Sequence, residues 1–352
     1  MRRTLAAAIA GGALLLAGCS SAASTGGAAP SSSDSSTAQA TAQAAAPVTV
    51  RLGFLENVTH ASALVGIKEG FFTKALGSAG TVQTTPFSTG TEEATALLAG
   101  QLDVAYVGPN PAISAFQKSN GTAIKIISGA ATGGASIVVK AGITSASQLK
   151  GESLATPSLG NTQDVALRYW LKQNGLATTT TGGGDVYIKP TTPNSAAVLE
   201  FKSGQIAGGS EPAPYDVEMV SDGGHVLLSE PGVSTVMIVT QTFLAAHPAI
   251  VADLLKAQIQ ANDFIKTNTA AAEADVNAEL ASLTGKPLKA SVLAASFKEI
   301  TFTDDPDEAS FTTDAQQAAS LGLLSSSNLS GIFDLTPLNT ALAAAGEAQV
   351  SS

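Results

Sequence analysis

The sequence predicts a two-lobed α/β fold, with two mixed, mostly parallel sheets and a cleft between the lobes. Three features predict it. From residue 48 onward, β-branched or aromatic runs alternate with Ala/Leu-rich helical stretches, the pattern of repeated strand–helix units. Strands dominate the middle of the chain. A helix-rich tail follows the last strands and must pack back on structure already made, so the chain crosses between the lobes twice.

The elements follow in order. Strands are expected over 48–54, 81–86, 104–107 and 124–128, with helices over 61–75, 92–99 and 111–118 between them. Next come strands at 137–139 and 154–155, a helix over 163–174, a strand over 186–189 and a helix over 196–203. Strands at 226–228 and 236–240 precede a long amphipathic helix over 250–268. The crossings are expected near 133–136 and 234–238. This puts 48–134 and 238–345 in lobe I and 135–237 in lobe II.

Composition narrows the function. Of 352 residues, 44% are hydrophobic and 13% charged, enough apolar mass for one large or two medium cores. The formal charge is −10, and loss of the first 18 residues, with Arg2 and Arg3 but no acid, takes it to −12. Nucleic acid is thereby excluded as the expected partner. Of the four arginines only Arg51 and Arg168 would remain, so no guanidinium cluster is expected to recognise an anion, which has to be held mainly by neutral donors. Three histidines and one cysteine leave no metal-ligand spacing, and no glycine pattern marks a nucleotide loop, so no cofactor is expected. Catalysis lacks a motif as well, with no Gly-x-Ser-x-Gly elbow and no thiol nucleophile in the folded part.

The N-terminus reads as an export signal. Arg2 and Arg3 precede an apolar or glycine run over 5–17 that is shorter than the about 20 residues a spanning helix needs. Leu16-Ala17-Gly18-Cys19 resembles the bacterial lipobox. The resemblance implies that Cys19 becomes a lipidated N-terminus, anchored to the outer face of the cell membrane. Residues 19–47, rich in Ser and Ala, then form a tether with a root-mean-square reach of roughly 30 Å.

Four strand-to-helix loops share one chemistry. They carry Asn57 and His60; Ser88 with Thr89 and Glu92 at capping-box spacing; Gly108 and Asn110 ahead of Pro111; and Ser158, Gly160, Asn161 and Thr162. Taken singly, each reads as a helix cap; taken together, they read as an anion site at helix N-termini. Glu211, in Glu-Pro-Ala-Pro-Tyr, either orients donors and accepts from a ligand amine or sits in a solvated turn.

Several segments together resemble the aliphatic-sulfonate, nitrate and taurine family of periplasmic binding proteins of ABC importers. They are residues 57–72 (NVTHASALVGIKEGFF), 97–111 (LLAGQLDVAYVGPNP), 151–175 (GESLATPSLGNTQDVALRYWLKQNG) and 203–212 (SGQIAGGSEP). The resemblance implies a type II binding-protein fold, closure on a small anion, and docking on a permease with its ATPase. It places Asn57, His60, Ser88, Gly108, Asn110, Ser158, Gly160, Asn161, Thr162 and Glu211 along the cleft. An aliphatic sulfonate is the expected guest; nitrate, bicarbonate, taurine or a pyrimidine precursor are the alternatives, and a secreted enzyme or sensor on the same scaffold is the rival class. A monomer is expected.

Other residues have local readings. Asp164 and Arg168, four apart on one helix, are expected to pair. Tyr106 ends a strand near the proposed guest, and Asp304, Asp305, Asp307 and Glu308 read as a solvated acidic turn.

Overall fold

The computed structural model describes residues 46–351; the expected signal segment, Cys19 and residues 20–45 of the expected tether lie outside them. The first sheet begins with β1 (Val48–Leu55), β2 (Gly80–Phe87), β3 (Val104–Val107) and β4 (Ile124–Gly133). Between them lie α1 (Ala61–Lys68), α2 (Phe71–Leu76), α3 (Gly90–Leu98) and α4 (Pro109–Lys118). The second sheet contains β5 (Ala135–Lys140), β6 (Ser153–Thr156), β7 (Tyr187–Pro190), β8 (Gly208–Pro212) and β9 (Gly224–Ser229). Helices α5 (Thr162–Gln173), α6 (Asn194–Ser203) and α7 (Tyr215–Ser221) connect them. The chain returns to the first sheet with β10 (Val233–Thr240), then runs through α8 (Gln241–Ala246), α9 (Pro248–Thr267), α10 (Thr269–Thr284) and α11 (Ala290–Glu299). A short β11 (Ile300–Phe302) precedes α12 (Glu308–Ser320) and α13 (Thr336–Ala345).

The strand orders are β11-β4-β10-β3-β1-β2 and β7-β6-β8-β5-β9. β1 runs parallel to β2 and β3, and β6 parallel to β7 and β8. The strands beside the crossings break the parallel pattern. β10 is antiparallel to both β3 and β4, and β5 to both β8 and β9, because each enters its sheet from the other lobe.

The first crossing is a glycine pair, Gly133 and Gly134, at φ +71° and +72°, where an L side chain is strained. A Cβ on Gly134 would also run into Ile300. The return crossing falls between β9 and β10, at 230–232, earlier than the expected 234–238. Val233 to Val239 are buried and registered on β3 and β4, so the segment is an interior strand rather than a connector.

Three further expectations are corrected inside the first lobe. The single helix expected over 61–75 is two, because Gly70 takes φ +69° and turns the chain so that Phe71 and Phe72 enter the core. Tyr106 does not face the cleft. It is fully buried, packs edge-on to Phe72 and donates its hydroxyl to Gln258 Oε1 at 2.6 Å. Asp304 likewise leaves the expected solvated turn. It is buried and accepts from Gln258 Nε2 (3.1 Å) and Asn262 Nδ2 (2.8 Å), which ties the turn after β11 to α9. Asp305 and Asp307 remain exposed.

Candidate functional site

The loops at the carboxyl ends of β1, β2, β3, β6 and β7 meet between the lobes around a cavity of about 20 Å³. Asn57 caps a 3-10 turn, Val58–His60, its Oδ1 accepting from Thr59 N (3.0 Å) and Thr59 Oγ1 (2.7 Å). His60 is buried, and its Nδ1 accepts from Leu55 N at 3.2 Å, which leaves the ring proton on Nε2. Burial pushes its pKa down to about 3, so the ring is a neutral donor and not a cation. Thr89 caps α3, accepting from Glu92 N at 3.3 Å. Gly108 opens α4, and a Cβ there would meet Thr162 Oγ1 of the opposite lobe at 2.6 Å. Glycine at 108 is what lets the lobes approach this closely.

The second lobe contributes a loop organised by Asp164. Its carboxylate accepts from Thr156 Oγ1 (3.0 Å), Gly160 N (2.9 Å) and Arg168 Nε (2.8 Å), while Asn161 Oδ1 caps α5 by accepting from Asp164 N at 2.9 Å. The expected Asp164–Arg168 pair is therefore present, and it is buried at 0% and 3% side-chain exposure. Buried pairs of this kind hold geometry. Here the held object is the loop 156–164 that walls the cavity.

Six of the ten expected residues line this cavity together: Asn57, His60, Ser88, Gly108, Asn161 and Thr162. Asn110 and Gly160 line an adjoining pocket of about 190 Å³, which shares Pro111 with the cavity and is otherwise largely apolar through Ala94, Leu98, Leu159, Val165 and Leu324. Both amide atoms of Asn110 are buried without a protein partner. Gly160 does not present its N–H to the cleft, because Asp164 takes it. Ser158 is also spent elsewhere, its hydroxyl sitting 2.6 Å from Thr91 Oγ1 as a latch between the lobes. Glu211 lies behind the wall on β8, fully buried, its two oxygens unpartnered. Burial first, then Asp216 and Glu230, raise its pKa well above the usual carboxylate range, so it is a neutral acid there and not a solvated turn.

Asn194 and Ser234 complete the wall and escaped the sequence reading. Thr-Thr-Pro-Asn before α6 is a fifth loop of the same chemistry, a signal that was present. Ser234 lies on β10 and carried none.

No Asp, Glu, Lys or Arg lines the cavity among the described residues. Its polarity comes instead from hydroxyls, amides, one neutral imidazole and the N-terminal ends of α3, α4, α5 and α6. Each helix end carries about half a positive charge. At about 20 Å³ the space admits no more than a water molecule, so the lobes must part before a solute enters.

Two mixed sheets flanking an interlobe cavity define the fold as that of the periplasmic binding proteins. The alkanesulfonate-binding protein SsuA from Xanthomonas axonopodis pv. citri superposes with a TM-score of 0.69 at 17% identity, covering 83% of this chain and 100% of that one. The nitrate-binding protein NrtA from Synechocystis PCC 6803 gives 0.69 at 16%, covering 85% and 89%. The aliphatic sulphonate binding protein SsuA from Escherichia coli gives 0.63 at 18%, covering 81% and 91%. At these identities the likeness establishes the fold. The chain belongs to the NMT1-like family, whose model matches residues 43–281. No curated protein matches it in sequence.

Proposed function

We propose that the chain is the solute-binding component of an ABC importer, capturing a small oxyanion between its lobes and delivering it to a permease without transforming it. One observation carries this reading: four α-helices and a 3-10 turn aim their N-termini, with neutral donors, at a single cavity that no charged side chain lines. Helix N-termini favour negative charge, and a buried oxyanion needs hydrogen bonds more than counter-ions. His60 Nε2 and Thr162 Oγ1 stand ready as donors, the hydroxyl being without a protein partner.

An aliphatic sulfonate fits best. The adjoining pocket beside Asn110 is apolar enough to accept an alkyl tail, which nitrate and bicarbonate lack. The folded part acts from the outer face of the membrane, held by lipid on Cys19. Among the described residues no helix is long and apolar enough to cross a bilayer.

Calorimetric titration of the full chain with ethanesulfonate, butanesulfonate, nitrate and taurine tests the ligand. Saturable binding of the sulfonates, tighter for the longer tail, is expected; binding confined to a neutral solute would overturn the reading. Export and anchoring are tested separately. Palmitate labelling should require Cys19, and Cys19→Ser should release the protein from the membrane fraction.

A further inference from the structure

Behind the cleft, between α5, the β9–β10 turn and α12, runs a groove of about 640 Å³. It shares only Thr162, Gln163 and Ser234 with the front cavity. Its chemistry is different. Tyr169 and Trp170 of α5 form one wall, half-buried, and Glu230 and Asp314 face in from the other side with Asp307 at the rim. No Lys or Arg lines it among the described residues.

We propose that this groove is a second binding site, for a primary alkylammonium ion. Aromatic faces attract a cation through their quadrupole, and carboxylates add charge-assisted hydrogen bonds. Ser234 supplies the independent sign of a ligand. It is 7% exposed, lies in the wall of the groove, and its Oγ has no partner in the protein, although a hydroxyl can accept from an ammonium N–H. Glu230 accepts from Ser210 Oγ through Oε1, which leaves Oε2 to the groove.

The carboxyls also show what a cation would relieve. Burial pushes Glu230 and Asp314 up to about 7 each. Asp314 adds repulsion to Glu230, and Asp307 adds it to Asp314. An ammonium group between them would favour the charged forms. A metal ion is the weaker guest, since no three carboxylates or imidazoles among the described residues converge closely enough to hold one.

Trp170 is the only tryptophan in the chain, so its fluorescence reports on this groove alone. The full chain is titrated with n-butylammonium chloride, with sodium chloride at matched ionic strength as reference. A saturable change in Trp170 emission is expected with the amine and not with sodium. Ser234→Ala should weaken it about tenfold, the loss of one hydrogen bond to a charged group. The pair Glu230→Gln with Asp314→Asn should abolish it, while Asp253→Asn, a half-buried acid on α9 paired with Lys256 and outside the groove, should not. If the double variant is misfolded by circular dichroism, Asp314→Asn alone, titrated by calorimetry, replaces it. An unsaturable response, a response that survives loss of both acids, or an equal response to calcium chloride would each overturn the proposal. Sulfonate titration of the Glu230 and Asp314 variants, neither of which lines the front cavity, reads that cavity separately, so failure of one site is distinguishable from failure of the other.

Discussion

The cavity between the lobes and the groove behind it are both walled by α5, yet their chemistries are opposed. The front receives the N-terminus of the helix and is lined by hydroxyls, amides and a neutral imidazole. The back receives the helix's aromatic side and is lined by carboxyls. One helix therefore presents a partial positive charge to one space and a ring quadrupole to another. The overall charge of −10 therefore says little about ligand sign, because the acids are sorted away from the front.

The largest expected effect comes from disturbing that sorting. Arg168→Met leaves Asp164 as an unpaired charge beside the front loop, and removing one partner of a buried pair costs about 3–5 kcal/mol. Denaturant unfolding should show the loss, and sulfonate affinity should fall with it. If stability is unchanged, Asp164 is not the organiser of the loop.

Gly108→Val is the next in size. Its side chain would occupy the space of Thr162 across the cleft, so closure should fail and affinity drop about a hundredfold, equivalent to about 2.7 kcal/mol. The backbone at 108 has φ −69°, which valine adopts, so the fold should survive and thermal unfolding should barely move. Retained affinity would show that closure is not needed.

Dependence on pH distinguishes the two regions by sign. His60 has a folded pKa below its unfolded value, so its contribution to stability is present above about pH 6.5 and is lost as pH falls toward about 3. Glu230 and Asp314 have folded values near 7, above their unfolded values. Their contribution is present in acid and is lost as pH rises from about 4 through about 7. Glu93, Glu211 and Asp216, all raised by burial, act in the same direction as these two. Stability measured across pH should therefore peak on the acid side of neutrality. His60→Gln should flatten the acid limb, and Glu230→Gln with Asp314→Asn the neutral limb.

The smallest effect belongs to the latch. Thr91→Ala removes one hydroxyl pair between the lobes, worth about 0.5–1.5 kcal/mol, and should weaken sulfonate binding a few-fold through faster dissociation.

What was legible in the residues was local. The Asp164–Arg168 pair follows from a spacing of four on a helix, and the caps at Asn57, Thr89 and Asn161 follow from short polar side chains ahead of apolar periodicity. The alternation of runs sufficed for two lobes and for a site at strand ends. Periodicity carries no information about which local donors are already spoken for. Ser158 and Gly160 have the right chemistry, but Thr91 and Asp164 take their hydrogen bonds. Tyr106 and Asp304 were misplaced because residues more than 40 positions away, on α9, bury and satisfy them. Glu211 is pushed toward its neutral form because the fold buries it completely, with Asp216 and Glu230 near it, a setting no window of sequence displays. Hydrogen-bond capacity is a property of a side chain and can be read from the chain. Whether that capacity is spent, and whether an acid keeps its charge, depends on neighbours that only the folded molecule brings within reach.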